Sequence, residues 1–261
     1  MDPIAQTHAK RRISAELYLA LQYIPFMDDI YRLHYAPDNA SMIVRLVLET
    51  LDVPYQTVLV DRAAHGQTSA RYLALNPNGL IPTLEIAEGP IFETGAILLW
   101  LADRHGALAP ALDDPARGHF LKWLFFVSNT LHAGLRIQFY PEQYAGPDPT
   151  ISTALSHQMA NVVGRHLATL DAEAGAKKPW FNAIAPSLLD FYVAACLRWL
   201  ALYPKNPLRP AFDLPHFVHL HDLALRLDTF PATIAVANAE GLGPKPFSKP
   251  HYPNPPEGSA T

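Results

Sequence analysis

A chain of 261 residues, 49% hydrophobic and 17% charged, carries ample core material and is long enough for two domains. Its net charge of -4 is spread without blocks, which argues against nucleic acid as a partner, and the single cysteine, Cys196, excludes an internal disulfide framework or a CxxC motif. The 12 histidines are scattered with no HExxH, so no metal site is expected, and no run approaches the roughly 18 to 20 apolar residues of a membrane span.

Residues 1–28 read as an N-terminal extension, disordered or helical. Lys10-Arg11-Arg12 precedes an apolar stretch from Ile13 to Ile24, as in a signal peptide, but Glu16 and Gln22 interrupt it and no small-residue cleavage site follows. An amphipathic appendage or an upstream extension of the reading frame, with Met27 as a sensible start, fits better. The expected location is cytoplasmic.

From residue 29 the pattern is that of an α/β domain. Ile30 to Tyr35 alternates like a strand and runs into the turn Ala36-Pro37-Asp38-Asn39. Ser41 opens a helix with Ile43, Leu46, Val47 and Leu51 on one face, stopped by Val53-Pro54. Tyr55 to Val60 is a second strand, parallel to the first if the helix is a crossover. Ser69 to Leu75 is a short helix. Pro82 to Ile86 and Pro90 to Phe92 form a hairpin around Glu88-Gly89, and Thr94 to Arg104 is a helix. The order is βαβαββα over residues 29–106.

Residues 107–115 are a linker, and residues 116–240 read as all-helical. One long helix is expected over Ala116 to Tyr140, a second over Thr150 to Ala174, and a third over Ser187 to Leu202. The third is apolar nearly all round and therefore central. Ser187 and Asp190 have capping-box spacing at its start, and Cys196 lies among apolar neighbours as an inert thiol. His216 to Leu227 and Pro231 to Glu240 complete the domain. Residues 241–261 carry several of the 25 prolines and read as a Pro-rich surface tail.

Two stretches carry chemistry. Asn76-Pro77-Asn78-Gly79-Leu80-Ile81-Pro82 ends a polar turn with an X-Pro pair at the mouth of a strand, which leaves the preceding backbone groups free. Phe92-Glu93-Thr94-Gly95-Ala96-Ile97 places a carboxylate and a hydroxyl where a helix begins, beside unpaired N–H groups. Together they suit a zwitterionic, peptide-like ligand. Taken singly, Pro82 is a turn residue, Glu93 a charge complementing the helix dipole and Thr94 an N-cap.

With Ile81-Pro82, Glu93-Thr94 and the Ser187/Asp190 box in this order, the sequence from Ile30 to Glu240 resembles the cytosolic glutathione transferases. The resemblance implies a thioredoxin-like domain followed by an all-helical domain, usually in a homodimer, with glutathione as co-substrate and no metal. It gives Ile81 the backbone pairing to the cysteinyl part of glutathione, with Pro82 cis. Glu93 would meet the γ-glutamyl amino group and Thr94 the γ-glutamyl carboxylate. Leu80 stands where the family commonly has Lys or Gln for the glycyl end.

A free thiol has a pKa of about 8.5, so the protein must lower it by a unit or two to hold a thiolate near neutral pH. The donors lie in Tyr35-Ala36-Pro37-Asp38-Asn39-Ala40-Ser41. This segment resembles the bacterial beta-class pattern, but the beta-class cysteine is Ala40 here, so a mixed disulfide at that position is excluded. Ser41 comes first as the catalytic donor, then Asn39, then Tyr35; as a plain structural residue Ser41 would be an N-cap. In the helical domain Thr130-Leu131-His132 resembles the beta-class Leu-His-Lys segment, with Ala133 in place of the lysine. His132 is carried over as a cleft residue, and Asn129 on the same helix is a further substrate-binding candidate.

The resemblance implies conjugation of the glutathione thiolate to small hydrophobic electrophiles. The alternatives are a dedicated glutathione-dependent peroxidase, isomerase or dehalogenase, and a non-catalytic glutathione-binding or scaffold protein.

Overall fold

Strand β1 (Tyr31–Tyr35) is the one on which the first domain is built. It pairs in parallel with β2 (Tyr55–Leu59), Tyr31 opposite Tyr55, and antiparallel with β3 (Thr83–Ile86), Leu33 opposite Leu84. β4 (Gly89–Phe92) pairs with β3 and gives the sheet order β2-β1-β3-β4. The computed structural model describes residues 30–205 and 211–255; the expectations for residues 1–28 fall outside them, as does the end of the Pro-rich segment.

Helix α1 (Ser41–Leu51) is the crossover that makes β1 and β2 parallel, and Asp52 ends it in a left-handed conformation (φ 52°). The short α2 (Ala70–Leu73) is capped by the Ser69 hydroxyl, which accepts the Tyr72 N–H. α3 (Thr94–His105) stops at Gly106, whose φ of 62° suits a residue without Cβ. Ile43, Leu46 and Val47 of α1 and Ile97, Leu98 and Leu101 of α3 are buried in the core beside Leu33 and Leu84 of the sheet. The βαβαββα order and the thioredoxin-like architecture are as the sequence implies.

The helical domain differs from expectation in its first helix. Instead of one helix over Ala116 to Tyr140, the chain forms α4 (Arg117–Phe126), a π-helical segment (Val127–His132) and α5 (Ala133–Phe139). The widened turn lies against the start of α3, so close that a Cβ on Gly95 would sit 3.1 Å from Ser128 Oγ. An additional short helix, α6 (Glu142–Ala145), precedes α7 (Pro149–Ala174), whose cap Asp148 accepts the Thr150 and Ile151 N–H groups. α8 (Leu188–Leu202) is buried almost all round and starts at the expected Ser187/Asp190 capping box. α9 (Val218–Asp228) packs against it, α10 (Pro231–Glu240) packs against α9, and α1 meets both α8 and α10 where the two domains join. Among the described residues no helix is long and apolar enough to cross a membrane.

The Pro-rich segment corrects the reading of a surface tail. Leu242 and Phe247 are each only 1% exposed, and Asp228 at the end of α9 accepts the Phe247 and Ser248 N–H groups. Tyr252 then donates its hydroxyl to the Leu202 carbonyl at 2.7 Å. Its prolines interrupt regular structure, but the apolar and hydrogen-bonding groups between them dock the segment onto α8 and α9.

Candidate functional site

A cavity of about 540 Å³ opens between the two domains. From the first domain its wall takes Asn39, Ile81, Pro82, Glu93 and Thr94; from the second it takes His132, Arg136, Tyr192, Trp199 and Tyr203. The volume suits a tripeptide-sized ligand with room for part of a second molecule.

The backbone of the first wall is shaped for a peptide. Ile81-Pro82 is cis, and Leu80 just before it is pinned by its carbonyl, which accepts the Tyr72 hydroxyl at 2.6 Å and Asn76 Nδ2 at 2.8 Å. The β1–β3 ladder starts at Thr83, so the Ile81 N–H and C=O stay outside it. Glu93 precedes α3 with φ 71°, a left-handed conformation uncommon for a non-glycine residue, and its carboxylate makes no capping bond. The Glu93 side chain is therefore left for a ligand beside the N-terminus of α3, where Thr94 is buried at 7% exposure.

Of the three thiol-donor candidates only Asn39 reaches the cavity. Its Oδ1 accepts the Ala40 N–H at 2.7 Å, which fixes the amide orientation, and among the described residues Nδ2 has no partner. Ser41, the first choice from sequence, is 0% exposed, and its Oγ donates to the Ala36 carbonyl (3.1 Å) and accepts the Ala36 N–H. Neither the donor role nor the N-cap role fits it: the N-cap is Ala40, and the hydroxyl instead cross-links the β1–α1 loop. Tyr35 is 5% exposed with the Arg45 guanidinium over its ring, and burial pushes its pKa up. Asn129 is exposed and off the cavity wall. The sequence places these residues near the site, but helix phase and loop path decide which ones face it.

His132 lines the opposite wall. Its Nδ1 lies 2.9 Å from the Tyr192 hydroxyl and its ring is tilted against Trp199, with centroids 5.2 Å apart. Desolvation, with a smaller contribution from Arg136, lowers its pKa to about 4, so it is neutral at physiological pH and able to share a proton with Tyr192. Ala40 and Ala133 stand on the wall as methyl groups where the beta-class pattern has Cys and Lys. Cys196 is fully buried, and burial pushes its thiol pKa up. Among the described residues no group of three or more His, Cys, Asp or Glu side chains is placed to hold a metal ion.

The sequence reading missed a cluster in which Arg198, buried behind this wall, meets three residues that line it, Asp38, Trp199 and Tyr203. Arg198 Nε donates to Asp38 Oδ1 at 2.7 Å, and Trp199 Nε1 and the Tyr203 hydroxyl donate to the same carboxylate. A signal was present: Arg198 is the one basic residue in a mostly apolar central helix, where a buried charge must find a partner.

Residues 40–104 match the model of the glutathione S-transferase N-terminal domain. The chain is 31% identical over 164 residues to glutathione S-transferase GstB of Escherichia coli K12, covering 57% of this chain and 76% of GstB. The chain belongs to the glutathione S-transferase family. It is also 28% identical over 209 residues to the disulfide-bond oxidoreductase YfcG of Escherichia coli K12, covering 77% of this chain and 91% of YfcG. The structure of a sphingomonad glutathione S-transferase complexed with glutathione superposes with a TM-score of 0.65 at 28% identity, over 81% of this chain and 100% of that one. For a glutathione S-transferase, the cavity between the two domains is the place where Ile81, Pro82, Glu93 and Thr94 come together.

Proposed function

We propose that this cavity binds glutathione and that the bound thiolate attacks the electrophilic carbon of a small hydrophobic molecule, forming a C–S bond as the leaving group departs. The observation that carries this reading is the convergence on one cavity of Glu93-Thr94 at a helix start, the Ile81-Pro82 backbone, and the unpartnered amide of Asn39. The Ile81 backbone pairs with the cysteinyl residue. Glu93 meets the γ-glutamyl ammonium, and the Thr94 hydroxyl with the α3 N-terminus meets its carboxylate. Leu80 offers the glycyl end no polar group, and Arg62 and Gln67 on the same wall take that contact. His132, Phe139 and Tyr140 face the electrophile. A homodimer in the cytoplasm is part of the same reading.

The catalytic donor in this reading is Asn39, whose Nδ2 stabilises the thiolate. Asn39→Ala should raise the pKa of the bound glutathione thiol by about one unit and lower kcat at pH 7 about tenfold. The ultraviolet absorbance of the thiolate, followed against pH, measures it. Ser41→Ala should leave that pKa in place and cost only stability. The opposite pattern would return the role to Ser41. Glu93→Gln should raise the KM for glutathione on the order of 10- to 100-fold, since a charge-assisted hydrogen bond is worth about 1.5–3 kcal/mol. A KM within twofold of wild type would remove Glu93 from the site.

A second reading, reduction of disulfides at the expense of glutathione, is favoured by the likeness to YfcG. Ala40 holds the beta-class cysteine position and Cys196 is fully buried, so every reacting sulfur in that reaction would come from glutathione or its disulfide partner. Turnover of a model disulfide without turnover of an aryl halide selects this reading; the reverse selects conjugation. Retention on immobilised glutathione tests both at once, and a protein that is not retained would be a member of the fold without this ligand.

A further inference from the structure

We propose that Arg198 is a positioning residue for the thiol site, coupling the docked segment after α10 to the Asn39 amide through Asp38. The inference rests on the reading of Asn39 as thiol donor. Its basis is a buried guanidinium with two sets of partners. Toward the first domain, Arg198 Nε and Nη2 grip the two carboxylate oxygens of Asp38 at 2.7 and 3.0 Å, and both side chains are 0% exposed. Toward the last described residues, Nη1 donates to the Pro246 carbonyl at 3.0 Å and Nη2 to the His251 carbonyl at 2.9 Å.

Each end of this bridge is tightly specified. Asp38 has φ 53°, in the left-handed region that few side chains other than Asn and Asp adopt. Its carboxylate also accepts Trp199 Nε1 and the Tyr203 hydroxyl, and its N–H donates to Glu240 Oε2. At the other end the chain folds back so closely that a Cβ on Gly243 (φ 81°) would lie 1.8 Å from His251 Nε2. The carbonyls offered to Arg198 are therefore set by backbone shape.

The consequence falls on Asn39. The N-cap of α1, Ala40, has no side-chain capping bond, and among the described residues the Asn39 side chain bonds only the adjacent Ala40 N–H. The aim of the Asn39 amide is thus inherited from its neighbours in the loop, and Asp38 is the neighbour anchored from outside it. Trp199 and Tyr203, which bind the same carboxylate, are cavity walls, so one buried carboxylate sets both sides of the cleft. A displacement of about 1 Å in such a donor is enough to cost a large factor in rate.

The test is the ionisation of glutathione bound to Arg198→Lys, to Tyr203→Phe, and to each combined with Asn39→Ala. Lysine keeps the charge but loses the fork, and Tyr203→Phe removes one bond to Asp38 without changing any charge. Both single variants should raise the pKa of the bound thiol, leaving about tenfold less thiolate at pH 7 for Arg198→Lys and about threefold less for Tyr203→Phe. The KM for glutathione should change less than threefold, because Ile81, Glu93 and Thr94 are untouched. In the Asn39→Ala background neither change should shift the thiol further, since the residue through which they act is gone. Folded single variants with an unshifted thiol, or shifts that add fully to that of Asn39→Ala, overturn the proposal. If Arg198→Lys does not fold, Tyr203→Phe decides alone. A wild-type complex whose thiol stays protonated at neutral pH overturns the reading on which the proposal rests, and the proposal with it. Thiolate in the wild type with unshifted variants overturns the proposal only.

Discussion

Asp190→Ala should destabilise the protein by about 3–5 kcal/mol, enough to take most of the stability of an ordinary domain. The carboxylate is 0% exposed; Oδ1 accepts the Asn182 N–H and Oδ2 the Ser187 N–H, each at 2.7 Å. Alanine leaves both donors buried and unpaired, at about 1–3 kcal/mol each, and removes half of a capping box. The damage is not confined to α8. Asn182, held in place at φ 56°, ties the loop to the end of α7 through the Ala174 carbonyl and to α9 through Arg226. Urea unfolding measures the loss, and a midpoint within error of wild type would show that these N–H groups find other acceptors. Asp190→Asn, which keeps one acceptor, should fall between the two.

The second large effect is a dependence on pH. Glu240 is 0% exposed, its Oε1 lies 3.5 Å from Arg45 Nη1, and Oε2 accepts the Asp38 N–H at 3.1 Å. Desolvation outweighs Arg45 and the Asp38 N–H and raises its pKa from 4.5 to about 7, with the Asp38 carboxylate adding to the rise. The native state therefore holds a proton that the unfolded chain releases above pH 4.5. The contribution of Glu240 is fully present below that pH and is lost as pH rises through about 7, a change of about 3 kcal/mol. Asp190, raised to about 6 chiefly by burial, acts with the same sign, whereas neutral His132 acts with the opposite one. Comparison of wild type with Glu240→Gln isolates the one group. The difference in unfolding free energy between the two should change by about 3 kcal/mol between pH 4.5 and 8. A difference that stays constant with pH would place the Glu240 pKa near its ordinary value.

Most of the fold was legible because local rules agreed with one another. The alternation of Ile30 to Tyr35, the Glu88-Gly89 turn, the Ser187/Asp190 spacing and the apolar run of α8 each point to the element that forms. The convergence of Ile81-Pro82 and Glu93-Thr94 on one cavity was legible for the same reason: both pairs stand at element boundaries, and boundaries leave marks in sequence. The donor was not. Ser41 and Asn39 are two residues apart, and whether a side chain enters the cleft or turns into the core depends on the path of a loop whose Asp38 is bonded by Arg198, 160 residues away in sequence. Contacts of that range leave no local pattern. The segment after α10 was misread because proline content reports the lack of regular structure and says nothing of burial.

The widened turn Val127–His132 bears on how this wall of the cleft tolerates change in chain length. In an α-helix each residue advances about 100° around the axis. A π segment holds one residue more than the α-helix it replaces, a surplus that can be given back. Deleting Thr130, a residue neither buried nor on the cavity wall, would let the segment relax to α-helix without moving α4 or α5 apart. In a regular α-helix the same deletion would instead swing His132, Arg136 and Phe139 a quarter-turn or more relative to Phe120 and Trp123. The helix thus carries its own slack, one residue deep, at the point where it borders the ligand.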